Sequence, residues 1–450
     1  MKIKYTIYGS LALLLMCLCG VALSQEHEAV KMVLDILKGD DQDMQSVAIT
    51  MVKDMPGAEV TKALAAELPN LSAKSQVQLL SALGDRGDAA ARPAVVAAVE
   101  SQDQSVRIAA LRALGQLGDE TTVTLLAQSA AGSKGAEQKA ARDSLYRIRG
   151  ENVDQVILVE IPKADAAVKV ELIGAAGQRI IKTAVNPLLK TAKDSDRKVR
   201  TESFRVLTVV AGPEHLPSLV GLLIEAKGSS DIRECQKTVA AVAHKIEDKN
   251  KQAQAVLTVL PKVKPIQNRC ALLGVLGKIG DNTALPVLTA AIKEKDAAIQ
   301  TAAIRSLAEW PTARPMLDLR KIAENSENKL HRILALRGFV RLIGVETRLP
   351  DAAKIDLYKK AMSLAPDVNE KRRVLSGLAG TKSREALDMA TAYLEDESLY
   401  REAEYAVVKI AEGVAADFPD LAKDTLKKII KKTKNDTLRE LAQGVLDKME

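Results

Sequence analysis

The sequence predicts an all-α fold, a right-handed α-solenoid of about 13 helix-pair repeats, and three observations carry that prediction. The first is a recurrence of 31 residues. With Gly115 as phase marker, equivalent positions fall at Lys53, Gly84, Gly115, Tyr146, Gly177 and Thr208, then more loosely at Ala243, Gly277, Ala308, Val340, Ala379, Ala411 and Asp447. The second is a motif, Asp-x-x-Val-Arg or a relative of it, whose last residue lies eight before its marker. The third is the absence of sustained period-two alternation bounded by hairpin turns, which leaves helices as the building material.

Taken in chain order, the amino terminus reads as a secretory signal peptide over residues 1–24. Lys2 and Lys4 precede an apolar run from Leu11 to Leu23, Ala22-Leu23-Ser24 supplies small residues for cleavage, and Gln25 becomes the first mature residue. The run is shorter than the roughly 20 residues a membrane span needs. Cys17 follows Met16 and Cys19 follows Leu18, which disfavours lipoprotein anchoring. The solenoid is therefore expected over residues 25–450, exported to a periplasm or secreted, with no integral membrane span.

Each repeat divides into helix A and helix B. Helix A carries a proline in its first turn, at Pro93, Pro187, Pro217 and Pro286, where a missing N–H costs nothing. Residues 155–161 would pass for a strand in isolation, but their phase makes them a helix A. Helix B opens on the recurring motif at Asp103–Arg107, Asp165–Lys169, Asp196–Arg200 and Asp296–Gln300, with looser copies at Ser72–Gln76, Asn328–Arg332 and Asp367–Lys371. The Asp, Asn or Ser is read as the N-cap. An apolar stripe follows, as at Val106, Ala110, Ala113 and Leu117. Glycines are read as helix stops, with Gly118-Asp119 and Gly280-Asp281 in the turns.

Irregular spacing predicts longer loops near 228–231 and 245–251 and an extended turn over Gly344–Pro350. The basic stretch Lys423–Lys434 forms one amphipathic helix with Leu426, Ile429 and Ile430 on its apolar side. It is read as a terminal capping helix with a soluble face, and contact with an anionic surface is the functional alternative.

The composition narrows the functional classes. Lys2 and Lys4 account for two of the net +7, leaving +5 on residues 25–450, with both signs interleaved. Aromatic residues make up 2% of the chain, so platforms for stacking bases or sugars are scarce, and no nucleic-acid partner is expected. Cys235 and Cys270 lie 35 residues apart, about one repeat. A disulfide between them and a pair of buried thiols both remain open.

No catalytic, cofactor-binding or metal-binding residue is assigned. His27, His215, His244 and His331 show no metal spacing, and His331 is read as a solvated or capping residue at a helix start. No phosphate-binding loop or nucleophile elbow occurs. Arg107, Lys169, Arg200 and Arg332 could form a ridge for an acidic partner; pairing with the Asp caps of adjacent repeats is the preferred reading.

The Asp-x-x-Val-Arg copies, the Leu-x-x-Leu-Gly-x-Leu/Ile-Gly-Asp endings at 111–119 and 273–281, and the stretches His331–Val340 and Lys371–Leu378 together resemble bacterial HEAT-repeat proteins of the HEAT-like or PBS-lyase type. The resemblance covers roughly residues 45–450, on the scale of such repeat arrays. It implies an armadillo-like helical solenoid, and it is similar to secreted proteins in which such repeats accompany sugar-hydrolase-associated or haem-binding domains. This chain carries neither a sandwich domain nor a Cys-x-x-Cys-His motif. The resulting expectation is a non-catalytic, exported protein–protein interaction scaffold with a protein partner and no cofactor. The alternative is an accessory component of a polysaccharide-processing system that binds or positions a sugar-active enzyme or a glycan; Trp310 is nearly the only aromatic candidate for the latter. A chromophore-lyase-like chaperone is the third reading, disfavoured by export. Which face binds is not legible.

Overall fold

The computed structural model of the protein describes residues 28–55 and 57–449. Residues 1–24, read as the signal peptide, and His27 lie outside the described residues. Among the described residues the chain forms 26 α-helices and no strands, arranged consecutively as A/B pairs. Two compact units divide between Ala211 and Gly212.

The first unit pairs α1 (28–38) with α2 (Gln42–Val52), α3 (Ala58–Ala66) with α4 (Ala73–Arg86), α5 (Arg92–Ala98) with α6 (Gln104–Leu117), α7 (Val123–Gly132) with α8 (Gly135–Arg147), α9 (Val153–Glu160) with α10 (Ala166–Gln178), and α11 (Val185–Thr191) with α12 (Arg197–Val210). The second pairs α13 (Leu216–Glu225) with α14 (Ser229–Ala243), α15 (Gln254–Val259) with α16 (Ile266–Ile279), α17 (Leu285–Ala291) with α18 (Ala297–Ala308), and α19 (Met316–Asn325) with α20 (Lys329–Val345). It continues with α21 (Asp351–Leu364) and α22 (Val368–Leu378), α23 (Arg384–Thr391) and α24 (Tyr400–Val414), and α25 (Pro419–Lys432) and α26 (Asp436–Asp447). Within each unit, every even-numbered B-helix packs on the next B-helix, and most A-helices pack on their own partner.

The motif acts as the sequence predicts at its first position and differently at its last. Asp103, Asp165, Asp196, Asp296 and Asn328 each accept hydrogen bonds from two backbone N–H groups of the first helical turn, and Asp367 and Ser72 from one. Such a cap stabilises a helix by about 1 kcal/mol. The fifth residue of the motif reaches back into its own repeat. Arg107, Arg200 and Arg332 donate to the backbone carbonyls of Ser101, Asp194 and Ser326 at 2.9, 2.9 and 3.1 Å, and Gln300 to that of Glu294 at 2.7 Å. In these four copies the acceptor lies six residues back, just beyond helix A. The side chain thereby ties the end of helix A to the start of helix B. Two copies outside the series read from the sequence do the same: Gln45 donates to the Gly39 carbonyl at 2.7 Å, and Arg439 to that of Thr433 at 2.6 Å. Gln76 donates instead to the Leu71 carbonyl five back. For Arg107, Arg200 and Arg332 these bonds correct the expectation of pairing with the Asp caps of neighbours; Lys169 does pair with an aspartate of the next repeat, Asp194, which is not the cap.

Glycine has a second use beyond stopping helices. Gly84, Gly115, Gly177 and Gly277 sit inside B-helices, one turn or less from the end, where the next B-helix comes closest. A Cβ on Gly277 would lie 2.6 Å from Ser306 Cα and 2.9 Å from the Ser306 carbonyl oxygen. On Gly115 it would lie 2.9 Å from Ser144 Oγ. Gly280, by contrast, is a true stop, with φ of 71° in the left-handed region that glycine enters freely.

Other readings resolve in detail. Residues 153–160 are helical, as their phase requires. The proline-bearing A-helices are each entered through a 3₁₀ turn at 89–91, 182–184, 213–215 and 282–284, and Asp88 and Asp281 cap two of these. The loop expected near 245–251 is present over 244–253. Residues 229–231 belong to α14 instead. The extra residues before Ala379 lengthen α20 to 17 and α21 to 14 residues, leaving a loop of only 346–350.

Replacing Gly277 by Ala should lower stability by about 1–3 kcal/mol, because the new methyl meets backbone that cannot rotate away. In α26, Gly444 faces open space, so Gly444→Ala should raise stability by about 0.5–1 kcal/mol through helix propensity alone. Thermal and urea unfolding of the two variants checks the opposite signs.

Candidate functional site

In the first unit, B-helix side chains three before and one after each marker turn away from the core: Ser81 and Asp85 on α4, Arg112 and Gln116 on α6, Asp143 and Arg147 on α8. All but half-buried Asp143 are exposed. Between α6 and α8, Arg112, Gln116, Asp143 and Arg147, with Ser81 from α4, wall a groove of about 450 Å³. Its floor is small because the close approach demands it: Gly115, Ala136, Ala140 and Ser144. A second groove of about 150 Å³ between α4 and α6 shares Ser81, Arg112 and Gln116 with the first, so the two form one track.

Farther along the same face, ion pairs fill the equivalent space. Arg142 donates two hydrogen bonds of 2.6 Å to the buried Glu171 on α10. Glu202 accepts from Arg205 at 2.8 Å on α12. Tyr146 lies among these groups, and burial raises its pKa above the ordinary phenol value. A Cβ on Gly174 would stand 3.2 Å from Glu202 and 3.6 Å from the Tyr146 hydroxyl, so glycine here makes room for polar side chains. At the edge of the open groove, Arg107 holds Glu137 by bonds of 2.8 and 3.0 Å and keeps that carboxylate below its usual pKa range.

Residues singled out in the sequence are placed as follows. His331 is buried rather than solvated, and its Nε2 lies 2.9 Å from Thr301 Oγ1 on the preceding B-helix. His244 Nε2 lies 2.9 Å from the Ile279 carbonyl, and His215 Nδ1 accepts from the Gly212 N–H at 3.1 Å. Lys169 pairs with Asp194 of the next repeat at 2.9 Å. Among the described residues no cluster of His, Cys, Asp and Glu could hold a metal ion. Cys235 is a buried free thiol whose pKa burial pushes up to about 12, and Cys270 is a half-buried free thiol. Trp310 is fully buried, which removes it as a sugar-stacking surface. Leu426 and Ile429 are buried and Ile430 partly so, while Lys427, Lys428, Lys431, Lys432 and Lys434 are exposed on α25 and after it. Among the described residues no helix is long and apolar enough to cross a membrane.

Residues 61–145, which contain the lining of both grooves except Arg147, match the family profile of HEAT repeats. The chain is an α-solenoid of helix pairs, similar to HEAT repeats over residues 61–145. Solved structures with a similar fold include the karyopherin Kap121p bound to the SUMO protease Ulp1p, with a TM-score of 0.56 and 10% identity over 93% of this chain and 53% of that one. Kap121p bound to Ste12p is similar, with a TM-score of 0.55 and 11% identity over 93% and 52%. This chain thus spans about half the length of those proteins. No curated protein matches the sequence.

Two interactions of this solenoid give direct tests. Arg142→Met strands the buried Glu171 carboxylate and should cost about 1–3 kcal/mol, and adding Glu171→Met should recover most of the loss. In the loop after α20, Glu346 accepts bonds from the Arg348 side chain and backbone N–H, which lower its pKa to about 2. A depressed carboxylate stabilises the fold fully above its unfolded value near ~4.3, and that contribution is lost as pH falls through the folded value. The thermal midpoint of Glu346→Gln should therefore lie below the parent's at and above pH ~5, and the gap should narrow as pH drops toward ~2.

Proposed function

We propose that this protein is a non-catalytic, exported scaffold that holds a protein partner along the B-helix face of its first unit. The observation that carries the reading is the open track over α4, α6 and α8. Neighbouring space on that face is filled by the Arg142–Glu171 pair between α8 and α10 and the Arg205–Glu202 pair on α12, whereas the track keeps exposed polar side chains over a floor of small residues. Surfaces of this kind, rigid and continuous over several repeats, suit recognition by shape across many weak contacts. The fold's likeness to karyopherin structures determined with Ulp1p and Ste12p supports a protein as the occupant. Export rests on the amino-terminal sequence, with residues 25–450 as the mature chain.

The test is capture followed by mapping. Immobilised residues 25–450 should retain one stoichiometric protein from an envelope extract at moderate salt. Hydrogen exchange of the complex should then show protection concentrated in α4, α6 and α8. Protection confined to A-helices would refute the proposed face, and retention of glycans alone would return the polysaccharide-processing reading to first place.

A further inference from the structure

We propose that the groove between α6 and α8 takes an extended acidic segment of a protein, whose carboxylates are held by Arg112 and Arg147; this rests on the scaffold reading above and names its ligand chemistry. Most other arginines of the first unit are committed to partners. Arg86 and Arg179 donate to carbonyls at the ends of preceding B-helices, and Arg92, Arg107, Arg142 and Arg205 pair with carboxylates. Arg197 and Arg200 are engaged as well. Arg112 and Arg147 wall the same groove, are exposed, and have no ion-pair or hydrogen-bond partner among the described residues. The one carboxylate lining that groove, Asp143, is already paired with Lys139 at 2.6 Å. Two uncommitted guanidinium groups therefore flank a floor of Gly115, Ala140 and Ser144, where an extended chain can lie close to the helices.

Guanidinium groups match the planar, two-oxygen geometry of carboxylates. The track favours a peptide over a free anion because it continues across α6 into the groove toward α4. Two inter-helix steps of about 8–10 Å each accommodate roughly six extended residues at about 3.3 Å apiece. Ser81 and Gln116 lie along it as neutral hydrogen-bonding groups for a peptide backbone. The exposed Asp85 lines the α4 end, so acidic side chains are directed to the α6–α8 groove and a neutral or basic one to the α4 end.

The probe is a short fluorescein-labelled peptide of alternating glutamate and glycine, with its glutamine counterpart as control, read by anisotropy on residues 25–450. The glutamate peptide should bind and the glutamine peptide should not. Arg112→Gln combined with Arg147→Gln should weaken binding by at least about tenfold, the scale of losing charge-assisted hydrogen bonds. Arg149→Gln removes another exposed arginine without a partner, outside the groove, and should leave binding unchanged. Both changed side chains are exposed, and an unaltered helical spectrum and thermal midpoint verify that the variant folds. An equal loss in Arg149→Gln, or displacement by inorganic phosphate as effective as by unlabelled peptide, would overturn the proposal. So would the absence of binding even at low salt. If a captured protein still protects α4, α6 and α8 in that case, the acidic-segment proposal falls and the scaffold stands; if that protection is missing too, both fall.

Discussion

Within each unit, everything rests on how closely successive B-helices approach at the marker position. Where Gly277 faces Ser306 there is no room for a methyl group, and the serine's own Oγ turns to donate to the Leu273 carbonyl at 2.9 Å. Helices this close expose little groove between them, so side chains flanking the contact are presented in rows. Small residues at the contact therefore decide both the spacing of the layers and the surface that remains. A glycine inside a helix costs about 1 kcal/mol of propensity, which packing must offset, and its recurrence at one phase shows that packing decides the residue there.

The second constraint is the closing of each A/B pair. A cap at the first motif position fixes where helix B begins, and a long polar side chain four residues on secures the carbonyl left at the end of helix A. Both bonds are local, which lets one repeat differ from the next without disturbing the stack. Interactions between repeats are then free to vary. In the first unit Arg142 on α8 pairs with Glu171 on α10, whereas α4, α6 and α8 leave an open groove beside the Arg107–Glu137 pair.

Much of this architecture is legible in the sequence because a period repeats the same physical demand many times. Phase alone makes 155–161 a helix although its residues favour a strand. It also places Pro93 and Pro286 in first turns and the Asp caps at B-helix starts. What escapes is whatever depends on a neighbour about 31 residues away. The marker glycines read as stops because glycine's local and packing uses look alike in one dimension. His331 reads as solvated because Thr301, which accounts for its burial, lies on another helix. The copy at Asp41–Gln45 lacks the basic residue and that at Asn435–Arg439 keeps the apolar-basic pair behind an Asn cap, so a polar cap followed by a long polar side chain eight before Lys53 and Asp447 would have revealed both.

The same limit explains why the candidate site is invisible from sequence. Arg107 and Arg112 lie five residues apart on one helix and carry the same charge. Arg107 is consumed by Glu137 and by two carbonyls of its own repeat, while Arg112 stands over a groove with nothing opposite. Their difference is set by which side chains α8 presents: a glutamate in its first turn, then alanines and a serine where α6 comes close. In a repeat protein the outward positions are predictable from phase, but their availability depends on the residue one repeat on. A binding face is therefore defined by the places where the pairing between repeats stops, and here that happens where two arginines meet a floor of glycine, alanine and serine.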